Sequence, residues 1–162
     1  MRYWLVMPAA GSGTRFGTAT PKQYAALAGR TVIEWALAPF LADGRCAGIV
    51  VALASGDTEW PRIAARLQRA DHVAAVCGGE HRSLSVRRAL ASLADRAAAA
   101  DWVLVHDAVR PCLDASDLER LLEQLAAQAR GGLLAVPAAD RRRTRISGPG
   151  RSAPAPSARS AS

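Results

Sequence analysis

Short apolar runs alternate with stretches of helical spacing along most of this chain, and that alternation restricts its fold more than any other feature. Tyr3 to Pro8 reads as a buried first strand and Gly48 to Ala54 as a second. Val73 to Val76, Trp102 to His106 and Gly132 to Val136 read as a third, fourth and fifth. Between them, Thr31-Val32-Ile33-Glu34 is a capping box that opens a helix to about Leu41, which Pro39 should tighten or end. Asp57 caps a helix predicted to reach Arg69. Leu84 to Ala94 has helical spacing, with Ala89, Leu90 and Leu93 on one face. Ser116-Asp117-Leu118-Glu119 is a second capping box, ahead of a stripe formed by Leu118, Leu121, Leu122 and Leu125. Strand–helix alternation of this kind predicts an α/β protein with a mostly parallel, doubly wound (Rossmann-like) sheet. Ligands of such sheets bind outside the carboxyl ends of the strands.

Composition narrows the functional classes. Half of the 162 residues are apolar and 22% are charged, as in a soluble globular domain. No apolar run is long enough to cross a bilayer, so a membrane role is not expected. The start, Met1 to Ala10, faintly resembles a signal peptide but runs straight into glycines, so it reads as a strand of a cytoplasmic protein. The formal net charge of +7 is unevenly placed. Residues 141–162 carry six arginines and no acid, which leaves residues 1–140 at a net of +1. A nucleic-acid-binding domain would carry its basic patch on the folded body, so nucleic acid is not the expected partner. Three widely spaced cysteines, Cys46, Cys77 and Cys112, and three histidines match no zinc or disulfide spacing.

Three strand-end loops carry the chemistry. The first is the glycine-rich stretch Ala9-Ala10-Gly11-Ser12-Gly13-Thr14-Arg15-Phe16-Gly17, followed by Pro21-Lys22-Gln23. Its glycines let backbone N–H groups approach a polyphosphate. It is neither a dinucleotide fingerprint, because Phe16 stands at the third glycine position, nor a P-loop, because Lys22 lies five residues beyond Gly17. Lys22 is the only lysine among 21 basic residues, which suits a position that wants a compact ammonium. Arg15 could add a guanidinium to the same phosphates or could be a surface charge. The second loop is Gly78-Gly79-Glu80-His81-Arg82-Ser83-Leu84-Ser85. Ser85 there could bond a base edge, and Ser83 or Ser85 could equally cap the next helix. The third is Val105-His106-Asp107-Ala108-Val109-Arg110-Pro111. Asp107, at a strand end, is placed to hold Mg2+ against phosphates, and Arg110 could pair with a second anionic substrate. An Asp107–Arg110 ion pair across the turn is the plainer alternative, and His106 reads as a packed residue rather than a catalyst.

Taken together, the three loops resemble those of the 2-C-methyl-D-erythritol 4-phosphate cytidylyltransferases of non-mevalonate isoprenoid synthesis, in order and spacing, over roughly residues 1–140. The resemblance implies a nucleotidyltransferase-type fold and transfer of CMP from CTP to a sugar-alcohol phosphate, with loss of pyrophosphate. It implies that Arg15 and Lys22 stabilise the transition state and that Asp107 holds Mg2+. Ala9, Ala10, Gly11, Ser12, Gly13, Gly79, Glu80, Ser85, Asp107 and Ala108 would surround the nucleotide, with Arg110 toward the sugar phosphate. Glu80 stands where the family often has Asp. The family also implies a homodimer built by an extended arm, and here the stretch after Asp140 departs from the pattern. Residues 141–162 are Arg, Ser, Ala, Pro and Gly with Ile146 as the only large apolar residue, so they are expected to be a disordered tail. The abrupt change reads as a truncated product or a shifted reading frame, with the C-terminal part of the domain missing. An inactive CTP-binding remnant and a ribitol phosphate cytidylyltransferase are the alternatives that remain open.

Overall fold

The computed structural model describes residues 1–11, 20–127 and 131–135. The expected tail, Ser12, Gly13, Arg15 and the end of the fifth predicted strand lie outside the described residues. Four parallel strands form one sheet: β1 (Tyr3–Ala9), β4 (Cys46–Leu53), β5 (Val73–Cys77) and β6 (Trp102–Val105), in the order β5-β4-β1-β6. A short antiparallel ribbon, β2 (Ala26–Leu27) with β3 (Arg30–Thr31), stands apart from it. The helices are α1 (Val32–Ala42), α2 (Trp60–Ala64), α3 (Arg82–Ala91) and α4 (Ala115–Ala127). The mostly parallel, doubly wound sheet is as the alternation predicts.

Period-two burial on β1 shows why. Tyr3, Leu5, Met7 and Ala9 face one core, with Ile33, Leu37 and Phe40 of α1, Ile63 of α2 and Leu118 and Leu122 of α4. Trp4 and Val6 face the other, with Ala89 of α3 and the following Leu93. An apolar strand covered on both faces has no polar alternation, hence the continuous run in the sequence. Each fully buried leucine or isoleucine stabilises the fold by about 1.5–3 kcal/mol relative to exposure. Among the described residues no helix is long and apolar enough to cross a membrane. The three cysteines are free thiols, with Cys46 buried and Cys77 and Cys112 exposed.

Several helix boundaries differ from the sequence reading. The end of α1 at Ala42 agrees with the expected end near Leu41, and Pro39 lies inside the helix, whose last turn Phe40 holds against the sheet. α2 stops at Ala64 instead of Arg69. Asp57 does cap it, its Oδ1 accepting from the amides of Glu59 and Trp60 at 3.1 and 3.0 Å. Arg69 ends the segment with a left-handed backbone (φ +56°) and donates to the Leu41 carbonyl at the end of α1. Leu90 is exposed, because Ala89 and Leu93 are four apart and define the buried line. Ser116 is the second residue of α4, and the cap is Asp114, whose Oδ1 accepts from the Ser116 amide at 2.8 Å. Residues 131–135 form no strand.

The predicted capping box at Thr31 is present. Glu34 Oε2 accepts from the Thr31 amide (2.7 Å), the Thr31 hydroxyl (2.6 Å) and Arg66 (3.0 Å). Burial pushes the Glu34 pKa up, but the Thr31 hydrogen bonds and Arg66 outweigh it and hold it below the ordinary value of 4.5. A depressed carboxyl contributes stability above its unfolded pKa and loses it as pH falls through the folded one. The melting temperature should therefore fall as pH drops below 4.5. Glu34→Gln should flatten that acid limb and lower the melting temperature at neutral pH, as thermal melts across pH would show. An unchanged acid limb in the variant would assign it elsewhere.

Candidate functional site

The chain leaves β1 and builds the sheet toward β5, then crosses to place β6 on the other side of β1. The direction of winding reverses between β1 and β6, and at such a switch point the strand-end loops diverge and open a crevice. A cleft of about 420 Å³ lies there. Of the sequence-predicted site residues, Ala9, Ala10, Gly11, Lys22, Gly79, Glu80, Ser85, Asp107 and Ala108 all line it. All three loops thus meet in one place. Arg110 does not reach this cleft; it lines an adjoining groove of about 1020 Å³, shared with Arg82 and Asp107, between β6, α4 and residues 132–135.

The Gly78-Gly79 turn is packed against the start of the glycine-rich stretch. Gly78 donates its amide to the Leu53 carbonyl at 2.7 Å, and its own carbonyl accepts from Arg88. A Cβ on Gly78 would stand 2.6 Å from the Ala10 Cβ and 2.9 Å from Ser85 Oγ. The backbone of this turn therefore touches the end of β1 only because residue 78 has no side chain. Ser85 is the fourth residue of α3 rather than its cap. Its buried Oγ accepts from the Gly79 amide at 3.0 Å and lies 3.2 Å from the His81 carbonyl, so the hydroxyl stitches the turn to the helix.

Asp107 is held by two guanidinium groups. Arg82 Nε and Nη2 donate to Oδ1 at 3.0 and 2.8 Å, and Arg110 Nε donates to Oδ2 at 3.0 Å. The Asp107–Arg110 ion pair is therefore present, alongside a second pair to Arg82 that the sequence reading did not assign. Burial pushes the Asp107 pKa up, but the arginine hydrogen bonds outweigh it and hold the carboxyl below the usual carboxylate value. Both arginine side chains are more than half exposed, so these pairs are worth at most about 1 kcal/mol and open easily. His106 is packed, as expected: its ring lies 5.2 Å from the Phe40 ring and its Nε2 is 2.9 Å from the Arg110 carbonyl. A carbonyl only accepts, so Nε2 carries the proton. Burial holds the His106 pKa below its ordinary value.

Lys22 lies on a single 3-10 turn, Lys22–Tyr24, and the next two side chains anchor it. Gln23 is buried and donates to the Ala9 carbonyl at 2.9 Å. Tyr24 donates its hydroxyl to Asp57 at 2.7 Å. Gln23 and Arg82 stand within the loops singled out in the sequence but carry no assigned part there, and Tyr24 and Arg88 show no signal of one. The signal available was a buried-type amide directly after the only lysine. Its partner, a backbone carbonyl, leaves no mark in the sequence.

Among the described residues no group of three or more His, Cys, Asp or Glu side chains gathers to hold a metal. The cleft does offer two carboxylates, Asp107 and Glu80. That suits Mg2+, which is commonly held by one or two carboxylates together with substrate phosphates and water.

The family model for 2-C-methyl-D-erythritol 4-phosphate cytidylyltransferase matches residues 3–145. The chain is 51% identical over 139 residues to the enzyme of that name from Pseudomonas aeruginosa, covering 85% of this chain and 58% of the relative. It is 50% identical over 141 residues to the one from Halorhodospira halophila, covering 86% and 58%. The chain thus spans 58% of the length of these curated relatives. Among solved structures, a 4-diphosphocytidyl-2C-methyl-D-erythritol synthase superposes with a TM-score of 0.73 at 35% identity, over 86% of this chain and 61% of that one. The cytidylyltransferase of Francisella tularensis superposes with a TM-score of 0.63 at 31% identity, over 79% and 54%. With matching loops on a matching fold, this chain belongs to the 2-C-methyl-D-erythritol 4-phosphate cytidylyltransferase family.

Proposed function

We propose that the cleft binds CTP and that the chain's activity is transfer of CMP to 2-C-methyl-D-erythritol 4-phosphate, in the cytoplasm. The observation that carries this reading is the meeting of Ala9 to Gly11, Lys22, the Gly79–Ser85 turn and Asp107 in one cleft at the switch point. The acceptor's phosphate oxygen attacks the α-phosphorus of CTP; a new P–O bond forms as the bond to the bridging oxygen of pyrophosphate breaks. Such a displacement asks the protein for alignment and charge stabilisation rather than covalent chemistry.

In this reading the amides at Ala10 and Gly11, with Ser12 and Gly13, cradle the triphosphate. Lys22 and Arg15 neutralise the charge that builds on the reacting phosphoryl group. Gly79, Glu80 and Ala108 border the nucleoside, and Ser85 holds the turn that faces it. Asp107 is the residue that would hold Mg2+, which supplies charge neutralisation on the phosphates when bound. Release of Asp107 frees Arg82 and Arg110, two cations at the mouth of the groove on the β6 side. Arg110 is then directed at the acceptor's phosphate, for which a guanidinium fork is suited.

Calorimetry with Mg2+ and each of CTP, UTP, ATP and GTP tests the nucleotide half. Binding should be seen for CTP and be at least tenfold weaker for the others, since rejecting a base by unpaired hydrogen-bonding groups is worth more than about 1.4 kcal/mol. Pyrophosphate release with methylerythritol phosphate or ribitol phosphate then identifies the acceptor. Equal affinity for all four nucleotides would reject the reading.

A further inference from the structure

We infer that Gln23 is a positioning residue that locks the Lys22 turn and the start of the glycine-rich stretch into one register, so that both meet the same triphosphate. The inference rests on the nucleotide-binding reading above. Lys22 and Ala9 to Gly11 belong to separate segments, and among the described residues nothing in the strand ladder ties the one to the other. Gln23 supplies that tie. Its Nε2 donates to the Ala9 carbonyl at 2.9 Å and approaches the Gly11 carbonyl at 3.5 Å. The side chain is 4% exposed, so its amide cannot trade these carbonyls for bulk water without opening the structure.

The geometry gives the contact a function beyond packing. A carboxamide N carries two protons, and its acceptors here are the last carbonyl of β1 and the carbonyl of Gly11, two residues on in the cleft wall. Lys22 precedes Gln23 directly, on a turn closed by bonds from the Tyr24 amide to the Pro21 carbonyl (2.9 Å) and from the Ala25 amide to the Lys22 carbonyl (3.1 Å). On the far side, Tyr24 is fastened to Asp57 at 2.7 Å, and Asp57 also caps α2. The turn is thus pinned at both ends, but only the Gln23 end reaches the cleft.

The test is a double-mutant cycle on CTP affinity, measured by calorimetry with Mg2+ on the full chain. Gln23→Met keeps the volume and removes both donors. It should weaken CTP about tenfold while the far-ultraviolet spectrum stays that of the parent. In a Lys22→Ala background the same substitution should cost threefold or less, because residues that act through one another are not additive. An equal factor in both backgrounds, or no effect in either, would overturn the inference and leave the nucleotide reading intact. Absence of CTP binding by the parent chain would instead reject that reading. Should Gln23→Met fail to fold, Gln23→Glu takes its place in the same cycle, since it keeps the shape and offers acceptors only.

Discussion

Gly78→Ala is expected to weaken nucleotide binding by about tenfold to a hundredfold, while leaving the sheet formed. The added Cβ would meet the Ala10 Cβ at 2.6 Å, Ser85 Oγ at 2.9 Å and the Leu53 carbonyl at 3.0 Å. None of these is the mobile end of a long side chain. Ala10 has no rotamer to change, Ser85 is buried and engaged with the Gly79 turn, and the Leu53 carbonyl belongs to β4. The turn must therefore move away from β1, which parts Ala10 from Gly79, two sides of the same cleft. Overpacking of this kind also destabilises by about 1–3 kcal/mol. Gly44→Ala is the control, because a Cβ there meets nothing within 4 Å. Urea unfolding and CTP calorimetry on both variants give the answer. A Gly78→Ala protein that binds CTP like its parent would show that the turn has room the packing denies.

Lys22→Ala is expected to weaken CTP by about tenfold to a hundredfold, since a hydrogen bond to a charged group is worth about 1.5–3 kcal/mol. Lys22→Arg should not restore it. The turn is short and pinned on both flanks by Gln23 and Tyr24, so a longer, planar head cannot take the place of a compact ammonium. A chain whose other 20 basic residues are all arginine makes this contrast direct. The loss should shrink as salt is raised, as for an exposed charge contact. Full affinity in Lys22→Arg would show that only charge matters at this position.

Much of the candidate site was legible because its parts are loops with chemical signatures. Glycines, one lysine and an aspartate at the end of an apolar strand are local facts, and nine of the predicted residues line one cleft. What escaped notice were partners that leave no pattern. Arg82 on Asp107 spans 25 positions, and Gln23 on Ala9 spans 14. Arg88 serves a carbonyl, and any residue would present that carbonyl. Helix ends were misjudged where a neighbour in space decided them. Arg69 turns the chain after α2, and Asp114 takes the cap from Ser116.

The four strands of the sheet and the helices between them are legible in the sequence in chain order, because burial period and capping chemistry act within a few residues, whereas the β2–β3 ribbon and the missing strand at 131–135 are not. The covering of β1 on both faces is legible too, since no polar residue interrupts it from Tyr3 to Ala9. The return of β6 to the far side of β1 and the sharing of one carboxylate by Arg82 and Arg110 came from the three-dimensional packing. The same packing joins the lysine turn to the glycine-rich stretch through a buried glutamine. These depend on which crossovers bring distant backbone together, and hydrogen bonds to backbone carbonyls are blind to the residue that offers them.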